Sequence, residues 1–338
     1  LKRFLCAALC LLLCLTIASC RQSEAPPEEN SSRTEEAQSR LVDDLPPPKP
    51  DVDGSSAANS SHAAEASSAE NHSQTDVSTS SSKSSAPSSS EAPAPSSSSE
   101  SSRKIVKITF PEGKTFAQMA EMLEAKGVCT KQQLLDTVNS YDYSYYPLIA
   151  AQPGNAHRCF RLEGYLFPAT YEFYTDMKPQ DVLGKFLRAS EQRITQEDRN
   201  RAAQLGYSMD QILTIASLIQ GEAGNPDQIK KVSSVIHNRL KAGMKLQMDA
   251  SINYVERSIK PYITGDKNRY NSYYNTYKCS GLPAGPICNP GKQWITAALY
   301  PADTDYLYFV NDKHGNYYFA STYKEHKANC EKAGFPIS

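Results

Sequence analysis

The sequence predicts an α+β protein. A small strand–helix–helix module (residues 104–160) precedes a larger, mixed, helix-rich α+β domain (161–338), behind a disordered N-terminal tether (21–103) and a short apolar leader (1–20). Three observations lead there. Composition breaks sharply near Arg103, where a Ser/Pro/Glu-rich stretch gives way to apolar residues in periodic patterns. Residues 104–110 alternate as a strand does, and two helix-start signals follow at once. Beyond residue 161 helical periodicity dominates, and alternation returns near residue 310.

Lys2 and Arg3 open the leader, and an almost unbroken apolar run follows from Phe4 to Ala18, the pattern of a secretory signal. The run is short for a membrane span, which needs about 20 residues. It closes on Ile17-Ala18-Ser19-Cys20, which resembles the bacterial lipobox whose cysteine is lipidated. A lipid on Cys20 or an uncleaved single span would each tether the chain to the extracytoplasmic face of the cell membrane. Residues 21–103 carry 14 acidic and 6 basic side chains, net −8, with almost no aromatic or branched apolar residues. Such a segment cannot bury enough surface to offset chain entropy. It would span about 50 Å as a flexible coil and at most about 300 Å stretched.

In the remainder, Ile105, Lys107 and Thr109 alternate with Val106, Ile108 and Phe110 as a short strand. Thr115 with Gln118, and Thr130 with Gln133, read as capping boxes opening two helices. A unit of this size and order resembles a LysM-type sugar-binding module, although many small modules share the pattern. Tyr141–Phe160 reads as irregular, and 179–193 as a helix with Val182, Leu183, Phe186 and Leu187 inward. Ser208 with Gln211 opens the most apolar helix, which is therefore central and buried. It runs to Gln220-Gly221-Glu222-Ala223-Gly224, where Asn225 as cap and Pro226 at the first helical position restart a helix. Residues 247–290 are polar and Tyr-rich with few strong signals. A short helix at 294–299, a hairpin of 306–310 with 317–320, and a last helix at 322–333 complete the chain.

From Lys104 onward there are 28 basic and 23 acidic residues, net +5. This balance suits an anionic polymer and equally suits ordinary surface charge. No basic stripe or nucleic-acid motif is present, so nucleic acid is not an expected partner. Cys6, Cys10 and Cys14 fall in the leader. Cys129, Cys159, Cys279, Cys288 and Cys330 follow the tether, where export permits disulfides. Cys279 and Cys288 bracket a Gly/Pro loop and are the first expected pair. Cys129 with Cys159 is the second, and Cys330 is left over. No metal-ligand spacing occurs, and neither metal nor cofactor is expected.

Glu222 ends a buried helix just before a sharp junction. A helix C-terminus is electronegative, and the preceding turns are apolar, so both effects favour the protonated carboxyl. A glutamic acid that keeps its proton near neutrality can protonate a glycosidic oxygen. A solvated helix-end glutamate has the same spacing, so position alone leaves both readings open.

Several ordered segments carry a resemblance. They are Leu162-Glu163-Gly164-Tyr165-Leu166-Phe167-Pro168 with Thr170-Tyr171, and Ala216-Ser217-Leu218-Ile219-Gln220-Gly221-Glu222. Further on come Asn238-Arg239-Leu240, Gly243-Met244, Leu246-Gln247 and Asp249. The last are Tyr274-Asn275-Thr276-Tyr277, Gly281-Leu282-Pro283, Pro286-Ile287, Asn289-Pro290-Gly291 and 302–310. Together they resemble the endolytic murein transglycosylase family, also called YceG-like or MltG-like, over essentially all of Lys104 to the C-terminus. That family often carries two glutamates two positions apart on its helix. Gln220 occupies the first position here, so the resemblance assigns the acid/base role to Glu222.

The resemblance implies a lyase that cuts peptidoglycan glycan strands between N-acetylmuramic acid and N-acetylglucosamine, leaving 1,6-anhydro ends. It implies a part in ending strand synthesis beside peptidoglycan synthases. Gln247, Asp249, Tyr274, Asn275 and Tyr277 are the expected substrate-cleft residues. Amides read sugar hydroxyls and acetamido groups, and tyrosine rings pack on pyranose faces. The same tyrosines could equally pack the fold, with Asn275 capping a turn. Asp249 leaves a water-using muramidase as an alternative, and a non-catalytic wall-binding lipoprotein is the third reading. Glu163 reads as structural. Ser321-x-x-Lys324 lacks the Lys-Thr-Gly that would make it a penicillin-binding signature. His326 with Cys330 reads as a surface coincidence.

Overall fold

The computed structural model of the protein describes residues 104–154, 156–224 and 226–335. The expected leader, Cys20 and the 21–103 tether lie outside them, as does the expected cap Asn225. The described residues form a mixed, helix-rich α+β fold with two small antiparallel sheets.

Strand β1 (Ile105–Thr109) turns Ile108 inward, followed by Phe110, as its alternation requires. Helices α1 (Phe116–Ala125) and α2 (Lys131–Ser140) both start on the expected capping boxes, with the Thr115 and Thr130 hydroxyls accepting from the N–H groups of Gln118 and Gln133. A short helix α3 (Pro147–Ala150) interrupts the stretch expected to be irregular. Strand β2 (Thr170–Tyr174) pairs antiparallel with β1, from Ile105 opposite Tyr174 to Thr109 opposite Thr170. This pairing spans the expected boundary at 160/161.

Helix α4 (Pro179–Arg193) lays its four foreseen apolar residues inward. Its Phe186 packs edge-on to Phe110 at 5.0 Å and so covers the first sheet. Helix α5 (Gln196–Gln204) was not foreseen, because only Asp198 and Ala202 of its residues are buried and no apolar stripe marks it.

Helix α6 (Met209–Glu222) is the centre of the fold. Every residue from Ile212 to Ile219 is buried, and it packs against α10 (Lys292–Leu299), α7 (Ile229–Lys241) and α8 (Asp249–Tyr254). A 3-10 turn at Pro226–Gln228 leads into α7. Helix α8 continues through a π turn, Val255–Ile259, and short α9 (Asn271–Tyr274) follows. The hairpin β3 (Tyr308–Asn311) with β4 (Tyr317–Ala320) and helix α11 (Tyr323–Lys332) close the chain as expected.

Glu163 is fully buried and holds distant segments together. Its carboxylate accepts from Phe116 N–H at 2.9 Å, the Asn289 amide at 3.0 Å and the Tyr254 hydroxyl at 3.1 Å. Burial pushes it up to about 8, against the opposing pull of the Phe116 and Tyr254 hydrogen bonds. Asn289 in turn accepts from Gly164 and Leu166 N–H, each at 2.9 Å. Gly164 has φ +85°, and a Cβ there would meet Pro286 at 2.4 Å, so only glycine fits.

The expected disulfides are not formed, and all five cysteines of the described residues carry free thiols. Cys288 is buried against α6, its thiol directed at the Ser217 carbonyl at 3.6 Å, while Cys279 remains partly exposed. Burial pushes the Cys129 and Cys159 thiols up to about 12, leaving both as inert apolar filler.

Candidate active site

Glu222 lines a cleft of about 390 Å³ together with Gln247, Asp249 and Tyr277, and with Tyr308, Tyr323, His326 and Cys330 from β3 and α11. The last turn of α6 meets the first turn of α8 here, and Gly221 makes the approach possible. A Cβ at Gly221 would lie 2.6 Å from the Ala250 Cβ. With hydrogen in its place, Ala250 N–H reaches the Glu222 carboxylate at 2.9 Å.

Burial raises the Glu222 pKa to about 7, and the neighbouring Asp249 charge adds to the rise. The backbone N–H groups of Ala250 and Asp249 oppose it. The expected electronegative α6 terminus is thus partly countered by donors at the start of α8. Removal from water is the dominant cause of the shift. Gln220 takes no part in the cleft; its side-chain oxygen accepts from Gly291 N–H at 3.0 Å at the start of α10.

Of the five expected substrate residues, three line the cleft. The Tyr277 hydroxyl donates to Asp249 Oδ1 at 2.8 Å, which fixes the ring beside the carboxylates. Gln247 holds a left-handed backbone, φ 55°, in which a non-glycine residue is strained. Its N–H donates to Thr276 O at 3.2 Å, and its side-chain oxygen accepts from Arg239 at 3.2 Å.

Tyr274 and Asn275 are not brought to the cleft. Tyr274 is fully buried and packs on Tyr254 at 5.2 Å, which is the packing reading of the tyrosine cluster. Asn275 caps the end of α9 and accepts from Tyr277 N–H at 2.9 Å.

Three residues that shape the site escaped sequence reasoning. Buried Arg239 donates to the carbonyls of Leu307, Lys245 and Leu246 at 2.6, 3.0 and 2.9 Å, binding the loop before α8 to the strand β3 side. Thr276 accepts from Met248 N–H at 2.8 Å and positions the start of α8. The Tyr317 hydroxyl donates to Glu222 O and accepts from Gly224 N–H, both at 3.0 Å, clasping the end of α6. Arg239 and Thr276 lay within the motifs quoted above, whereas Tyr317 carried no signal. His326 and Cys330, expected on the surface, instead line the cleft, with Sγ 3.6 Å from Nε2 and Cys330 buried.

Among the described residues no group of His, Cys, Asp and Glu could hold a metal ion. The sequence model of the YceG-like family matches residues 88–332. Over 233 residues the chain is 33% identical to the endolytic murein transglycosylase of Bacillus subtilis strain 168, covering 67% of this chain and 64% of that protein. It is 29% identical over 244 residues to the endolytic murein transglycosylase of Streptococcus pneumoniae strain D39, covering 67% and 44%. The chain thus spans less than two thirds of the length of these curated relatives. A crystal structure of a YceG-like protein from Listeria monocytogenes shares 34% identity with a TM-score of 0.58, over 66% of this chain and 75% of that one. The motifs spread along the folded part, the length of the family match and the likeness in both sequence and structure establish that the chain belongs to the YceG-like family.

Proposed function

We propose that this chain is an endolytic lytic transglycosylase acting on peptidoglycan, with Glu222 as both acid and base. The observation that carries the reading is the half-buried Glu222, raised to about 7, the one glutamate lining a cleft with sugar-compatible polar and aromatic groups. Relatives named endolytic murein transglycosylase support the same assignment. Protonated Glu222 gives its proton to the oxygen leaving the anomeric carbon of N-acetylmuramic acid. The resulting carboxylate then takes the proton of that sugar's C6 hydroxyl as its oxygen bonds to the anomeric carbon. The bond broken is the glycosidic C–O bond, and the products are a free hydroxyl and a 1,6-anhydro end. No water is consumed, unlike ordinary glycoside hydrolysis.

Asp249 favours a second reading, a muramidase in which water attacks. It is the other carboxylate in the cleft, and it is oriented by the Tyr277 hydroxyl. Mass analysis of sacculi digested by the wild type and by Glu222→Gln separates the readings. Anhydro ends from the wild type, absent from the variant, are expected. Reducing muramic acid ends would establish the hydrolase instead, unchanged product from Glu222→Gln would remove Glu222 from the chemistry, and no product from the wild type with binding retained would leave a wall-binding lipoprotein. Membrane tethering through the N-terminal segment, sugar binding by the LysM-like β1–α1–α2 unit and action beside synthases to end nascent strands belong to the same proposal. The order β1, α1, α2, then short α3 and β2 paired back on β1, is what supports the sugar-binding part.

A further inference from the structure

Seven large apolar or aromatic side chains are notably exposed among the described residues, and two of them, Tyr277 at 41% and Tyr323 at 52%, line the Glu222 cleft. Tyr277 stands beside Asp249. Tyr323 stands on the wall made by β3 and α11, and nothing above gives it a role.

That wall is built in layers. Tyr308 has the Arg239 guanidinium over its ring at 5.1 Å and the His326 ring stacked on it at 5.0 Å, 20° from parallel. Tyr308 is thus already engaged by two neighbours and serves as a support. Tyr323 meets Tyr308 at 6.0 Å and 56°, and His326 at 6.3 Å and 47°. These tilted contacts do not stack on its ring, and half of the side chain stays open. Its backbone is fixed, because it is the first residue of α11. There the Thr322 hydroxyl accepts from Glu325 N–H while the Glu325 carboxylate accepts from Thr322 N–H.

We infer that Tyr323 is a second sugar-stacking platform, a glycan subsite along the strand from the ring held near Tyr277 and Glu222. The inference rests on the glycan-cleaving reading of the same cleft. A pyranose presents a C–H-rich face that packs on an open aromatic face, and a rigid ring pays little entropy to receive it. The cleft volume falls in the range of sites that enclose a ligand. A second open platform in the same cleft as the acid engages one more sugar of the strand and makes binding depend on chain length.

The test uses the full chain carrying Glu222→Gln, so that strands bind without turnover, and measures affinity for purified peptide-free glycan strands and for a disaccharide. Adding Tyr323→Ala or Tyr323→Leu should weaken strand binding about three- to tenfold and leave disaccharide binding unchanged, while Tyr323→Phe and Tyr323→Trp should match the parent. Thermal midpoints identify any variant that fails to fold, and the Phe and Trp variants then still report on the ring. Equal strand binding by Tyr323→Ala overturns the subsite, as does a Tyr323→Phe loss as large as that of Ala. Tyr323-dependent binding confined to peptide-bearing strands would assign the platform to the stem peptide and also overturn it. If the parent binds no strand at all, the subsite falls; product analysis of the wild type then tells whether the cleaving function falls with it.

Discussion

Replacing Glu222 with Gln should stabilise the protein at alkaline pH while abolishing cleavage. The carboxyl is raised from 4.5 to about 7 by burial. At about 1.4 kcal/mol per pH unit, that corresponds to about 3 kcal/mol against the ionised form in the folded state. Water reaching the partly exposed side chain trims this to about 1–3 kcal/mol. A raised carboxyl contributes stability that is fully present below 4.5 and is lost as pH rises through about 7. Gln keeps the oxygen that accepts from Ala250 N–H and carries no charge. The variant should therefore equal the wild type near pH 4, gain between 4.5 and 7, and hold a constant advantage above that. Urea denaturation across this range, followed by circular dichroism, measures the difference. A variant less stable than wild type at pH 8, or a gain that does not change with pH, would refute the account of a destabilised buried acid.

Three further outcomes follow from the same geometry. Cleavage should fall about tenfold per pH unit above about 7, because in the proposed mechanism the first step uses protonated Glu222, and Asp249→Asn should move this limb to lower pH by removing a charge that raises Glu222; a limb that stays in place or moves upward contradicts this. Gly221→Ala should force α8 away from α6 and cost about 1–3 kcal/mol of stability along with most activity, so full activity in that variant would show that the close approach is dispensable. Alkylation of unfolded, unreduced protein followed by mass analysis should label Cys129, Cys159, Cys279, Cys288 and Cys330, whereas protection of any pair would restore a disulfide.

What the sequence disclosed was what local chemistry encodes. Capping boxes marked the starts of α1, α2 and α6, and apolar periodicity gave α4 and the burial of α6. Helix α5 was hidden because its only apolar residues are the adjacent Ala202 and Ala203, and its capping box uses Asp198 where Glu or Gln is the usual signal. Strand β2 was hidden because five residues after a proline can alternate without announcing a partner some sixty positions earlier. In the site, Glu222 was legible from the helix break behind it. The fate of the tyrosines was not: Tyr274 and Tyr277 are three residues apart, and only the surrounding packing decides that one is sealed and the other faces the cleft. The Ala250 N–H that answers the Glu222 carboxylate is a backbone group, which no residue type reveals.

The joint at Glu163 bears on how this protein could be rebuilt from parts of its relatives. Phe116, Glu163, Tyr254 and Asn289 lie in four segments, and the Glu163–Asn289 contact alone bridges 126 positions. A chimera that takes one of these segments from another protein inherits half of a bargain: a carboxylate without its donors, or donors without their carboxylate. Exchange points that keep the four together, such as one within the 312–316 turn of the hairpin, leave the joint whole. Cuts between residues 116 and 289 divide it, and the helix that answers Glu222 is anchored there through Tyr254.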